Sequence, residues 1–204
     1  MNAALRGVGV CELPGDRIVG FVGHGMRSLL FASLGVAAPG REEELLEAAT
    51  GRFREAYGRG LLDRTRLHAG IAELLEELSR RGIRSSLLTN KPRVFTDAIL
   101  AGLGVADSFA DAVCGDEVLR PKPDPEGLLR LVARSGLPAE ATCLVGDSAV
   151  DVETARRGGV ASCAVSWGLR DLAELLAARP DHLVGEASGI TRLAAPGTAS
   201  PPRG

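Results

Sequence analysis

"CLVGDSAVDVETARRGGVASCAVSW", residues 143–167, runs apolar, turns at Gly146, becomes helical in pattern from Ser148 and returns to an apolar run at Ala161. That is a strand, a crossover helix and a second strand, and strands joined through a helix lie parallel. Asp147 follows directly on the first strand, and Asp151 stands one turn into the helix. Ser148 and Asp151 fit the S/T-x-x-D/E pattern of a helix start, which by itself needs no further role. Asp147 lies before that cap and escapes the explanation. Two carboxylates four residues apart repel one another, and a divalent cation holding both would remove the repulsion. One or two carboxylates plus water are the ligands that Mg²⁺ prefers.

The same alternation extends outward from this unit. "GIAELLEELSRRG" (70–82) sets Ile71, Leu74, Leu75 and Leu78 on one helical stripe and ends at Gly82. "IRSSLL" (83–88) is short and extended and is stopped by "TNKP". A helix is expected through Ile99 and Leu103, then a second short strand at "DAVCG" (111–115). "DPEGLLRLVARSG" (124–136) opens with Asp124 as N-cap and Pro125 as first helical residue, and closes at Gly136. A short helix over 171–178 leads to a last strand candidate, "DHLVG" (181–185). The pattern predicts an α/β fold, a Rossmann-like three-layer parallel sheet. Ligands of such sheets bind beyond the carboxyl ends of the strands. Thr89, Gly115 and Asp147 all lie just past strand ends, so they are expected at one edge.

Residues 16–66 read differently. "DRIVGFVGHGMRSLLFASLG" (16–35) and "REEELLEAATGRFREAYGRG" (41–60) are helical, with no strand pattern between them. They predict a small helical module ahead of an α/β core over 67–190, with 1–15 as a hinge or the start of the first helix. The run from Leu193 is rich in proline, glycine and serine, and 191–204 is expected to be a disordered tail.

The bulk numbers narrow the function classes. The 204 residues are 45% hydrophobic and 25% charged, with a net charge of −2 and no basic run, which leaves a nucleic-acid surface without electrostatic support. No apolar stretch approaches the roughly 20 residues that span a bilayer. "MNAALRGVGV" lacks the form of a secretion signal, so a cytoplasmic location is expected. The four cysteines, Cys11, Cys114, Cys143 and Cys163, form no C-x-x-C pair. The last three lie in apolar runs and are expected as buried free thiols. A dinucleotide-binding module is excluded because "VGHGMRS" precedes the α/β region and does not follow a first strand.

Lysine usage is more informative. Of 24 basic residues only Lys91 and Lys122 are lysine, the other 22 being arginine. Both lysines precede proline, in loops past strand ends. A compact ammonium can point at one phosphate oxygen where a planar guanidinium is too bulky. Thr89 and Asn90, past "SLL", offer a hydroxyl and backbone N–H groups suited to a phosphate oxygen, although such residues also serve as turn formers.

The ordered set "LLTNKP" (87–92), "RPKPDP" (120–125) and "LVGDSAVD" (144–151) resembles motifs two, three and four of the haloacid dehalogenase (HAD) superfamily of phosphohydrolases. "FVGHGMRSLL" (21–30), "AVSWGLRD" (164–171) and "PDHLV" (180–184) are similar to the phosphoglycolate phosphatase-like branch. The resemblance implies a HAD-like core with a small helical cap and Mg²⁺-dependent hydrolysis of a small phosphorylated metabolite through an aspartyl-phosphate. It assigns Thr89 and Lys122 to catalysis and phosphate binding, with Asn90 beside them, and Asp147 and Asp151 to the metal. Gly23, His24, Gly25 and Arg27 match the cap segment that faces the site in that branch, where they would help choose the substrate; a plain helix-start turn explains them equally well.

The first motif of the family, a strand ending in D-x-D-G-T, supplies both the nucleophile and the central strand. No D-x-D occurs in this sequence, whose first aspartate is Asp16. By the resemblance, "MNAALRGVGV" falls within the first cap helix, just after that motif. Two readings follow: a start assigned downstream of the true one, or a shortened, non-catalytic relative that binds phosphate or a partner. "GVGVCEL" (7–13) is the one early extended-looking stretch that could take the central position, and it carries no aspartate.

Overall fold

A computed structural model describes residues 1–194. Most of the expected tail lies outside them. Four helices come first: α1 (Asn2–Gly7), α2 (Gly15–Gly20), α3 (Met26–Ala37) and α4 (Glu42–Arg59). Their apolar positions meet in one cluster in which Leu5, Leu30 and Leu34 are completely buried, joined by Leu46, Ala49 and Phe53. The run over 16–35 is not one helix. It breaks at residues 21–25, where Gly23 and Gly25 have φ of 123° and 88°, a region that residues with a Cβ avoid. "GVGVCEL" forms no strand; Val8, Val10 and Leu13 pack into the helical cluster. Burial against helices already present outweighs its extended pattern.

The remainder alternates as expected. It runs α5 (Ile71–Arg80), β1 (Ser86–Leu88), α6 (Arg93–Gly102), β2 (Asp111–Val113), α7 (Glu126–Ser135), β3 (Cys143–Gly146), α8 (Ala149–Gly158), β4 (Ala161–Val165), α9 (Leu172–Ala178), β5 (His182–Val184) and α10 (Ala187–Leu193). Every strand pair is parallel. The predicted strands 83–88 and 111–115 shorten to three residues each, because a ladder exists only where both partners are in register, Ser86 with Asp111 through Leu88 with Val113. Helix α7 starts one residue later than expected, with Pro125 at its N-cap. Asp124 still caps it, accepting the Glu126 N–H at 3.0 Å, and Gly136 ends it in the left-handed region. The last described helix continues to Leu193, into the segment expected to be disordered.

Layering follows from strand alternation. Leu144 and Ala164 face α7, α8 and α9, in clusters with Leu128 and Ala155 and with Val152 and Leu175. On the opposite face Val184, in register with Val165, abuts Gly189 of α10, and α10 packs on α5 through Ala187, Leu74 and Leu78. This is the three-layer α/β arrangement, with one departure: the strands form two sheets, β1–β2 and β3–β4–β5. Leu88 of β1 and Leu144 of β3 lie against the same apolar cluster, yet the two strands share no ladder. Beside that seam Val145 is 39% exposed. Cys143 is exposed there too, contrary to its expected burial in a strand; Cys114 and Cys163 are buried as expected.

Candidate active site

Loops leaving the carboxyl ends of β1, β2 and β3 meet the α2–α3 turn and helix α4 around one cavity of about 320 Å³. Thr89, Asn90, Lys122, Asp147 and Asp151 all line it. The polar wall comes from these loops. The apolar wall comes from Val22, Met26, Leu29, Phe53, Tyr57 and Phe95.

Lys122 is the hub of the polar wall. Its Nζ donates to Asp151 Oδ1 at 2.7 Å and to the Leu88 carbonyl at 3.1 Å, so one ammonium joins the end of β1 to the first turn of α8, across the seam between the sheets. Both side chains are nearly buried, 13% and 9% exposed. In such surroundings an ion pair holds together because either charge alone would be costly. Asp151 is occupied twice. Its Oδ2 accepts from Ser148 Oγ at 2.6 Å, so Ser148 stands at the N-cap of α8 but spends its hydroxyl on the carboxylate and not on a helix N–H. The repulsion inferred from the sequence is thus met first by Lys122.

Asp147 is held by a different contact. Its Oδ2 accepts the Leu169 N–H at 2.7 Å, and no described residue donates to Oδ1. Both carboxylates are packed tightly against glycine: a Cβ on Gly168 would fall 2.1 Å from Asp147 Cβ, and one on Gly146 would fall 2.4 Å from Asp151 Cβ. No side chain fits at either position. The glycine of "VGD" and that of "WGL" are therefore what lets the two carboxylates approach the cavity. Among the described residues no group of three or more Asp, Glu, His or Cys side chains is gathered as a metal site, so any cation here would depend on few carboxylates and on water.

Asn90 is engaged on all sides. Its Nδ2 donates to the carbonyls of Gly23, at 2.8 Å, and Lys122, at 2.9 Å, while its Oδ1 accepts the Lys122 N–H at 2.8 Å. It lines the cavity, but its amide serves the backbone: it fastens the lysine loop to the turn before α3. Arg170 does the same from the β4 loop, its Nη2 donating to the Val22 carbonyl. Thr89 Oγ1 accepts the Lys91 N–H at 3.1 Å, an ST-turn that leaves the hydroxyl proton available.

His24 and Arg27, expected to face a substrate, do not line the cavity. His24 is exposed, and Arg27 is 75% exposed at its side chain and lies 3.6 Å from Glu43 of α4. Helix α3 begins at Met26, and its period turns Met26 and Leu29 inward and Arg27 outward. The residues that sequence reading passed over are aromatic. The chain has five Phe, one Tyr and one Trp, and Phe53, Tyr57 and Phe95 meet at this one wall. Their scarcity was the available signal.

Comparison with known proteins bears on this site. The profile of the haloacid dehalogenase-like hydrolases matches residues 2–165. The chain is 34% identical over 172 residues to the phosphoglycolate phosphatase of Rhodospirillum rubrum, covering 82% of this chain and 71% of that one. It is 31% identical over 160 residues to the N-acetylmuramic acid 6-phosphate phosphatase of Pseudomonas aeruginosa, covering 78% and 70%. In fold it is similar to the crystal structure of a predicted phosphoglycolate phosphatase of Haemophilus somnus, with a TM-score of 0.88 at 24% identity, covering 95% of this chain and 88% of that one.

Proposed function

The chain belongs to the haloacid dehalogenase-like hydrolase family, and on that premise we propose that its cavity is the phosphoryl site of a phosphatase acting on a small phosphate monoester, phosphoglycolate or a close analogue. The observation that carries this reading is the position of Lys122, whose ammonium is aimed into a small cavity between Asp151 and the Leu88 carbonyl, with Thr89 and Asp147 on the same wall.

In this reading Lys122 offsets charge on the phosphoryl oxygens as it builds toward the transition state, and Asp151 holds the ammonium in place. The Thr89 hydroxyl donates to a phosphoryl oxygen. Asn90 keeps the loop of Lys122 at fixed distance from the turn at Gly23, so the lysine need not search for its position. The donor set fits Mg²⁺ in part: Asp147 has one carboxylate oxygen to give, whereas both oxygens of Asp151 already accept hydrogen bonds. The ion when bound would neutralise phosphoryl charge; Asp147 would hold it, and Asp151 would reach it or its waters only by sharing an oxygen with Lys122 or Ser148.

Covalent phosphoryl transfer in this family needs an aspartate in line with phosphorus. Asp147 and Asp151 are engaged as described, and the sequence contains no D-x-D. We propose that the nucleophile arrives on an extended segment ending in D-x-D-G-T, paired between β1 and β3. The exposed Val145 and Cys143 and the absence of a ladder between these strands among the described residues support that placement. The test compares the 204-residue chain with a version that carries such a segment at its N-terminus, assayed on an aryl phosphate and on 2-phosphoglycolate. The extended version is expected to give Mg²⁺-dependent turnover that Asp147→Asn removes, and the 204-residue chain none. Metal-dependent turnover by the 204-residue chain would show that the nucleophile is already within it.

A further inference from the structure

The second lysine of the cavity has no ion-pair partner among the described residues. Lys91 sits in the loop after β1, where its N–H is held by Thr89 Oγ1 and its carbonyl accepts the Gly115 N–H at 3.1 Å. From this fixed main chain its side chain reaches helix α4. There Nζ donates to Tyr57 Oη at 2.5 Å and stands 4.8 Å from the ring centroid. Tyr57 is itself clamped, stacked on Phe53 with centroids 5.2 Å apart and edge-on to Phe95 at 5.1 Å. Lys122 is paired with Asp151, but among the described residues no ion pair involves Lys91. The contact with the Tyr57 ring offsets part of the cost of holding an ammonium among aromatic groups. An anion arriving in the cavity would offset the rest.

We propose that Lys91 and Tyr57 form a second anion-binding pole of the cavity, which takes a carboxylate on the alcohol portion of the phosphate ester and so selects the substrate. The inference rests on the reading of the Lys122 end as the phosphoryl pole. Nζ and Oη are neighbouring donors, since the Tyr57 oxygen accepts from the lysine and keeps its own proton to give. Two donors this close suit the two oxygens of one carboxylate. Phe53, Phe95 and Met26 line the same cavity with apolar surface, which suits a carbon linker joining a phosphate at one pole to a carboxylate at the other. A neutral alcohol of the same length would leave the ammonium unmatched. An arginine at position 91 would present a broader fork to the same ring, which accounts for a lysine here in a chain that otherwise uses arginine.

The test is calorimetric titration of the full chain in Mg²⁺ with 2-phosphoglycolate, ethyl phosphate and inorganic phosphate. The wild-type chain is expected to bind phosphoglycolate about ten-fold more tightly than ethyl phosphate, the scale of one charge-assisted contact. Lys91→Met should bring that ratio close to one by weakening phosphoglycolate alone, and Tyr57→Phe should reduce it partway. A ratio that survives Lys91→Met overturns the proposal. So does a variant in which both esters weaken together, because Lys91 would then belong to the phosphoryl pole or to the packing of α4. Equal binding of the two esters by the wild-type chain also overturns it, while leaving the phosphatase reading intact. Failure of all three ligands to bind removes the phosphoryl pole itself and this inference with it.

Discussion

The helical half and the α/β half of this molecule are held together by different means. Helices α1 to α4 share one continuous apolar cluster, with Leu5, Leu30 and Leu34 sealed at its centre. The α/β half divides its burial among three small clusters, and its strands fall into two separate sheets. Those sheets share the apolar cluster that Leu88 and Leu144 lean on, and at the cavity they are joined by a polar link, the Lys122 ammonium reaching from the β1 carbonyl to Asp151. The first half is organised by hydrophobic burial, which does not depend on direction. The second is organised at its centre by a few directed bonds, and these are the groups that would meet a substrate. Chemistry and cohesion therefore coincide on one side of the molecule and are separate on the other.

Three substitutions break or sharpen that contrast. Leu34→Ala, at a site with 0% exposure, should cost the most, about 3–4 kcal/mol of unfolding free energy in a denaturant titration, since a sealed cluster cannot close over the hole. A cost below about 1 kcal/mol would mean that the helical half is loosely packed and the contrast is false. Lys122→Met should cost about 2–3 kcal/mol, because it leaves Asp151 buried without its partner. Adding Asp151→Asn to Lys122→Met should return part of that loss in a double-mutant cycle; strict additivity would mean that the pair does not join the sheets. Val145→Ala should cost least, about 0.5 kcal/mol, given its 39% exposure. In the version carrying an added strand the same change should cost more than about 1 kcal/mol, because the side chain would then be enclosed. An unchanged cost there would place the added strand elsewhere.

Much of this arrangement could be read from the residues because it is local. Apolar runs punctuated by Gly82, Gly136 and the capping Asp124 mark elements whose ends depend on a few neighbours. Thr89, Lys122 and Asp147 follow strands, and parallel topology then brings strand ends to one edge whatever the loops do. What the residues hid is long-range. The contact of Tyr57 with Lys91 spans 34 positions, and nothing in "REAYGRG" says that its tyrosine leaves the helix surface for a loop of the other half. That His24 and Arg27 stay off the cavity wall is not legible either, because the phase of α3 depends on where the turn at Gly23 and Gly25 lets it begin. Cys143 reads as buried in a strand, and it is exposed where β3 ends its sheet, a boundary that the pattern of the run does not specify.

The clasp between the halves has a consequence for how this cavity can change over generations. Asn90 and Arg170, from two different loops, grip the carbonyls of Gly23 and Val22. A carbonyl is the same in every residue, so the grip on Val22 is indifferent to its side chain, whereas Gly23 is kept a glycine by its φ of 123° and not by the grip. Val22 and Met26 line the apolar wall and can be exchanged for larger, smaller or more polar residues without loosening the junction. The fastening is written in the main chain and the selectivity in the side chains. A lineage can therefore retune what the cavity admits through single substitutions, each of which leaves the two halves in register.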